Sequence, residues 1–152
     1  MDWTLFLTFL AACCAAAASG AMIQPDEWYD QLNKPNWTPP RWVFPVVWTS
    51  LYILIALAAM RLALRGDSAQ ALALWSVQIA LNTLWTPIYF GLRRIRAAMV
   101  VMVCLWLAVA ASTWTFFGVD FLAGLLFLPY LVWVSIAGVL NYSVIRLNPQ
   151  QA

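Results

Sequence analysis

The sequence predicts an all-α fold: an integral membrane bundle of five transmembrane helices, with a structured first loop capping a pocket. Three observations carry that prediction. Of the 152 residues, 64% are hydrophobic and only 9% are charged, whereas soluble domains carry about 25% charged residues. Five charge-free apolar stretches each supply the roughly 20 helical residues that cross a hydrocarbon core. The stretch from Trp28 to Tyr52 gathers Pro35, Pro39, Pro40 and Pro45 with Trp28, Trp37, Trp42 and Trp48. It is too polar and proline-broken to cross a bilayer, yet too aromatic for a plain solvated linker. Residues 1–152 read as one domain.

The first span, 3–23, is flanked by Asp2 and by Gln24-Pro25-Asp26-Glu27. A signal peptide competes, because Ala15 to Ala21 is rich in small residues. Against it stand the missing basic n-region and an apolar run too long for an h-region. Ala12, Ala16 and Gly20 recur every fourth residue, a small-residue face that lets helices approach closely in lipid. Residues 24–41 form the lid loop. The second span, 42–60, has Pro45 in its first turn, where the missing N–H is not needed. Arg65-Gly66-Asp67-Ser68 then makes a turn, with Asp67 or Ser68 available to cap the next helix. The third span, 69–92, is the most polar, with Gln70, Gln78, Asn82 and Pro87. The fourth, 97–117, leads through Gly118-Val119-Asp120, with Asp120 as the expected cap, into the fifth, 121–145. The residues after Arg146 are expected to fray.

Charge, histidine and cysteine exclude several functions. The net charge of +2 forms no basic run, which argues against nucleic acid as a partner. Histidine is absent, which excludes a His-ligated haem, a His zinc site and a Ser-His triad. Cys13, Cys14 and Cys104 lie in apolar runs and match neither a disulfide framework nor a metal pattern; no metal ligand set is expected. Lys34, Arg41, Arg93, Arg94, Arg96 and Arg146 fall on one face of the membrane, Arg61 and Arg65 on the other. By the positive-inside rule the first loop and the C-terminus are cytoplasmic if the protein sits in an inner membrane.

Three helical stripes mark where chemistry can sit. Gln78, Asn82, Trp85 and Tyr89 share one face of the third span, Pro45, Trp48, Tyr52 and Ile55 one of the second, and Tyr130, Trp133, Ala137 and Asn141 one of the fifth. Amides are costly against lipid, so these faces should turn inward. Gln78 and Tyr89 read as interhelical packing and hydrogen bonding. Trp48, Asn82 and Trp133, with Trp85 also deep in its span, read as a pocket that stacks a flat apolar ligand and orients it with a few polar groups. Trp3, Trp42, Trp75 and Trp114 lie nearer the span ends. Above, Pro35, Pro39 and Pro40 stiffen the lid, and Trp28, Tyr29 and Trp37 give it an apolar underside. Asp26, Glu27, Asp30 and Lys34 are expected to stay solvated. Arg41 either meets a ligand carboxylate or snorkels at the interface.

Trp28-Tyr29, Lys34-Pro35-x-Trp37-x-Pro39-Pro40 and Trp48-x3-Tyr52 resemble the first-loop and second-helix signature of the translocator protein family, also called the tryptophan-rich sensory proteins or peripheral benzodiazepine receptors. Asn82-x2-Trp85-x-Pro87-x2-Phe90-Gly91 resembles its third-helix motif. Pro129-Tyr130-x2-Trp133, Ala137 and Leu140-Asn141-Tyr142 resemble its fifth-helix motif. The likeness covers essentially the whole chain and is nearest to bacterial members. It implies a five-helix membrane homodimer that binds porphyrins, sterols and isoquinoline or benzodiazepine-type drugs. The pocket positions it implies are Tyr29, Trp37, Pro39, Trp48, Tyr52, Asn82, Trp85, Trp133, Ala137 and Leu140. The family's sterol motif maps to Leu140, Tyr142 and Arg146, a loose pattern.

The leading expectation is therefore a membrane receptor for tetrapyrroles such as protoporphyrin IX, with a sensory or regulatory role and no required cofactor. Its partners would be bilayer lipid, the ligand and a second copy of the chain. The alternative is light-dependent porphyrin breakdown, in which Trp48 and Trp133 would be the photochemical residues; the spans otherwise carry no acid, base or nucleophile for catalysis. An active transporter is a third reading, but the spans show neither internal repeats nor membrane-buried charges for ion coupling.

Overall fold

The computed structural model describes residues 2–151, and among them all regular structure is helical. The elements are α1 (Trp3–Met22), α2 (Glu27–Gln31), α3 (Val43–Ala63), α4 (Ala69–Thr86) running into a π turn (Pro87–Gly91), α5 (Ile95–Val119) and α6 (Phe121–Leu147). Four helices, α1, α3, α5 and α6, are long and apolar enough to cross a membrane. The fifth long helix, α4, is not among them, because Gln70, Gln78 and Asn82 fall within its 18 residues.

Aspartates start three of these helices. Asp2 accepts the Leu5 N–H, Asp26 the Tyr29 N–H and Asp120 the Ala123 N–H, each supplying an acceptor for a donor the helix leaves unpaired. Ser68 occupies the start of α4 without capping it by side chain; its hydroxyl donates to the Arg65 carbonyl. The third predicted span is not one α-helix to residue 92. Pro87 has no N–H for the Thr83 carbonyl, so the ladder widens and the Leu92 N–H donates to Pro87 instead (2.8 Å). Arg93 follows with φ 54°, a left-handed residue that ends the turn. The second and fifth spans run past their predicted ends, to Ala63 and Leu147, and α5 extends the fourth at both ends.

The long helices alternate in direction and close a ring. α1 lies against α3 and α4, α3 against α6, α6 against α5, and α5 against α4. At the end remote from the lid the ring is filled. Ile55, Ala58, Ala59 and Leu62 of α3 meet Val109 and Phe116 of α5 and Phe127 of α6, all fully buried. The Phe116 and Phe127 rings stand edge to face at 4.7 Å. Gly124 is required here, since a Cβ would lie 2.5 Å from the Phe117 ring. Trp75, placed near a span end by sequence, is buried in this half and donates its indole N–H to the Ile55 carbonyl (3.2 Å). Trp3, Trp42 and Trp114 are exposed on the outer surface.

Beneath this end, Asp120 is the node between α3 and α6. Its carboxylate accepts from Arg61 (2.9 Å to each oxygen) and from Arg65 (2.5 Å), with only 2% of the side chain exposed. The Arg61 guanidinium, then Arg65 and the Ala123 N–H, hold the Asp120 carboxyl well below the usual carboxylate range.

Candidate functional site

In the other half the helices stay apart. They enclose a cavity of about 760 Å³, within the range of small-molecule sites. Its wall takes Trp48 and Tyr52 from α3, Asn82 and Trp85 from α4, Tyr89 and Phe90 from the π turn, Met102 and Leu105 from α5, and Trp133, Ala137 and Leu140 from α6. Small residues of α1, Ala16, Ala17, Gly20 and Ala21, close one side. Tyr29, Pro39 and Arg41 roof it from the lid. The widened turn after Pro87 lets two successive aromatic residues, Tyr89 and Phe90, both reach the cavity.

The aromatic rings support one another around this space. Trp48 lies 5.3 Å from Tyr52 and 6.0 Å from Tyr130, Trp85 stacks on Tyr89 at 4.8 Å, and Trp133 meets Phe44 edge-on at 5.8 Å. Trp48, Trp85 and Trp133 are each half-buried rather than packed shut.

The polar groups are arranged differently from the sequence expectation. Asn82 is not a free amide awaiting a ligand. Its Oδ1 accepts the Tyr52 hydroxyl (3.1 Å) and its Nδ2 donates to the Tyr130 oxygen (2.9 Å), tying α4 to α3 and α6. Asn141 does similar work, accepting from the Trp85 indole (3.3 Å) and donating to the Ile95 carbonyl (3.4 Å). Gln78, expected to bond across helices, is fully buried with neither end of its amide paired among the described residues. Trp133 Nε1 is likewise buried and unpartnered.

Of the predicted pocket residues, Tyr29, Pro39, Trp48, Tyr52, Asn82, Trp85, Trp133, Ala137 and Leu140 line the cavity. Trp37 does not; it is 48% exposed, because the turn through Pro35–Thr38 carries it to the outside of the lid. Trp28 also stays off the cavity and packs edge-on against Tyr89 at 6.3 Å. Leu140, Tyr142 and Arg146 do not share a face: Leu140 lines the cavity, whereas Tyr142 is exposed and accepts from Arg146 (3.3 Å) on the outer surface. Tyr130, Asn141, Phe44 and Phe90 belong to the site's framework and were absent from the predicted set, though Tyr130 and Asn141 stood on its stripes.

The lid's charges are less free than expected. Lys34 is half-buried and donates to the carbonyls of Tyr29 (2.6 Å), Leu32 (3.0 Å) and Asp30 (3.2 Å), closing the end of α2 while standing over the Tyr29 ring. Burial lowers its pKa from the usual lysine value. Asp30 pairs with Arg41, and Asp26 with Arg93 (2.6 Å). Arg41 thus lines the mouth while paired within the lid. Glu27 remains exposed. Among the described residues no three His, Cys, Asp or Glu side chains lie together as a metal site would need.

Four apolar helices of membrane length around an aromatic-lined hollow define a multi-pass integral membrane protein with room for a small molecule. Residues 5–147 match the model of the TspO/MBR family, and the chain belongs to that family. It is 59% identical over 148 residues to the tryptophan-rich sensory protein of Cereibacter sphaeroides, covering 97% of this chain and 94% of that one. It is 53% identical to protein CrtK of Rhodobacter capsulatus, over 98% and 96% of the two chains. The human translocator protein is 39% identical over 80% of this chain and 75% of its own.

Proposed function

We propose that the protein is a receptor for porphyrins and related flat apolar ligands, such as sterols and isoquinoline or benzodiazepine-type drugs, with a sensory or regulatory role in tetrapyrrole handling. The observation that carries this reading is the cavity of about 760 Å³ walled by aromatic side chains from three helices. Stacking against Trp48, Trp85 and Trp133 would hold a macrocycle by its faces. Arg41 lines the mouth, where an anionic ligand substituent would compete with Asp30 for its guanidinium. In this reading α4 is the fifth span, with Gln78 and Asn82 turned inward and Asn82 paired to α3 and α6, and residues 24–41 cap the site. If the protein sits in an inner membrane, the first loop and C-terminus face the cytoplasm by their Lys and Arg. The working unit would be a homodimer in lipid that needs no cofactor and binds no nucleic acid.

The test is a titration of the purified protein with protoporphyrin IX and with haem, followed by tryptophan emission. Saturable quenching is expected with both. With no histidine to ligate iron, the metal-free ring should bind at least as tightly as haem. Quenching that rises without saturation would remove the receptor reading.

A further inference from the structure

Asn148 stands just past the end of α6 and is 6% exposed, at a place where the sequence leads one to expect a frayed tail. Its side-chain amide is fully committed. Nδ2 donates to the Val144 carbonyl (2.8 Å), closing the last turn of α6, and also to the Asn33 carbonyl (2.8 Å). Oδ1 accepts the Asn33 N–H (2.9 Å). The result is a two-point bridge from one side chain to one backbone unit 115 residues away. Such a bridge fixes distance and orientation together, as a single hydrogen bond cannot.

Asn33 opens the part of the lid that roofs the cavity. Lys34, Thr38, Pro39, Pro40 and Arg41 all contribute to the cavity wall. Among the described residues, the other polar contacts of this stretch stay local. Lys34 bonds carbonyls of the lid, Thr38 bonds Pro35, Arg41 pairs with Asp30, and Pro40 accepts only from Val43, where α3 begins. The Asp26–Arg93 pair ties down the other end of the loop and is exposed on both sides. Asn148 therefore supplies the partly buried polar tie between the roof and the bundle. It does so from α6, the helix that also presents Trp133, Ala137 and Leu140 to the cavity.

We infer that Asn148 is a positioning residue for the ligand site: its amide sets the closure of the lid, and hence the rate at which a bound ligand leaves. The inference rests on the cavity being the ligand site proposed above. Losing the two partly buried hydrogen bonds to the roof should speed release about tenfold. The effect belongs on dissociation, because the ligand contacts themselves are untouched.

The experiment loads the full chain in lipid nanodiscs with protoporphyrin IX and mixes it with excess empty phosphatidylcholine vesicles, which trap released porphyrin. Recovery of tryptophan emission gives the release rate. A parallel tryptic digest follows cleavage after Arg41 in the lid and after Arg94 and Arg96 outside it. Asn148→Ala should release about tenfold faster with undiminished amplitude, and should be cut faster after Arg41 alone. Asn148→Asp, equal in shape, keeps an acceptor for the Asn33 N–H but sets a carboxylate oxygen against the Asn33 and Val144 carbonyls; it should also release faster, and decides the matter if the alanine variant does not fold. Unchanged release in both variants overturns the inference. So does lost amplitude at an unchanged rate, or cleavage that rises equally at all three sites, since either marks a residue that only supports the fold. If the wild type takes up no porphyrin saturably, the receptor reading fails, and the digest still decides whether Asn148 holds the lid.

Discussion

The two halves of this bundle are made by the same helices and differ in what those helices bring to the centre. Away from the lid, α3 offers alanine, isoleucine and leucine to Phe116 and Phe127, and these side chains are fully buried against one another. Toward the lid, α3, α4 and α6 turn Trp48, Trp85 and Trp133 toward one another, and these large flat rings enclose a hollow. Small and branched side chains interdigitate between close helices. Indoles facing one another across the bundle hold its helices apart and leave a space that something flat can fill. The solid half gives the bundle its rigidity, which lets the other half remain open without collapsing.

That division is open to direct attack, starting in the solid half. Phe127→Ala removes a fully buried ring wedged against Phe116 and Tyr130 and should lower stability by about 3–5 kcal/mol. Thermal unfolding in detergent measures this, and protoporphyrin affinity at a temperature where the variant stays folded should be unchanged. A loss of affinity equal to that of a cavity mutation would erase the distinction between the halves.

Next in size is the Asp120 node. Asp120→Asn removes the charge that gathers Arg61 and Arg65, both of which can reach water, so a loss of about 1–3 kcal/mol is expected. The pH dependence has a definite sign. The folded-state carboxyl titrates below its unfolded value, so its stabilisation is complete above about pH 4 and is lost as the pH falls through the lowered folded value. Melting temperatures from neutral to acid pH should converge for wild type and variant at the acid end. A constant gap between the two curves would contradict the assignment.

In the hollow half the expectations reverse. Trp133→Phe should weaken protoporphyrin binding by about tenfold, the scale of one aromatic contact. It should leave the melting temperature unchanged or slightly raised, since it removes a buried N–H that has no partner among the described residues. The smallest effect belongs to Arg41→Ala, an exposed pair with Asp30. Stability should change by less than about 1 kcal/mol, with any loss of affinity confined to ligands that carry a carboxylate. Comparing protoporphyrin IX with its dimethyl ester reads that difference.

Helix periodicity made the hollow half legible before the fold was known. Trp48 and Tyr52, Asn82 and Trp85, and Trp133 and Ala137 recur at the helical repeat, and an amide among apolar neighbours has to face inward. The same pattern could not say which amide would be engaged. Asn82 meets Tyr52 and Tyr130 from helices 30 and 48 residues away, so its occupancy depends on helix rotation that periodicity leaves undetermined. Asp120 announced itself as a helix cap, but its pairing with Arg61 spans 59 residues and carries no local mark. Trp37 shows the converse error. In a loop, side-chain direction follows turn geometry rather than a repeat, and a proline-rich aromatic signature does not reveal which ring points out. Pro87 did mark the break in α4, in that a missing N–H must be accommodated; that the ladder would widen into a π turn was not readable from it.

The central claim is that the lid-side hollow is a built ligand site and not a packing defect. The substitution Ala137→Phe tests it most directly, by placing a ring in the cavity from the wall of α6. If the hollow is real, the added side chain occupies it. The variant should then melt at or above the wild-type temperature while saturable protoporphyrin quenching disappears. A variant that unfolds at lower temperature with binding intact would contradict the account.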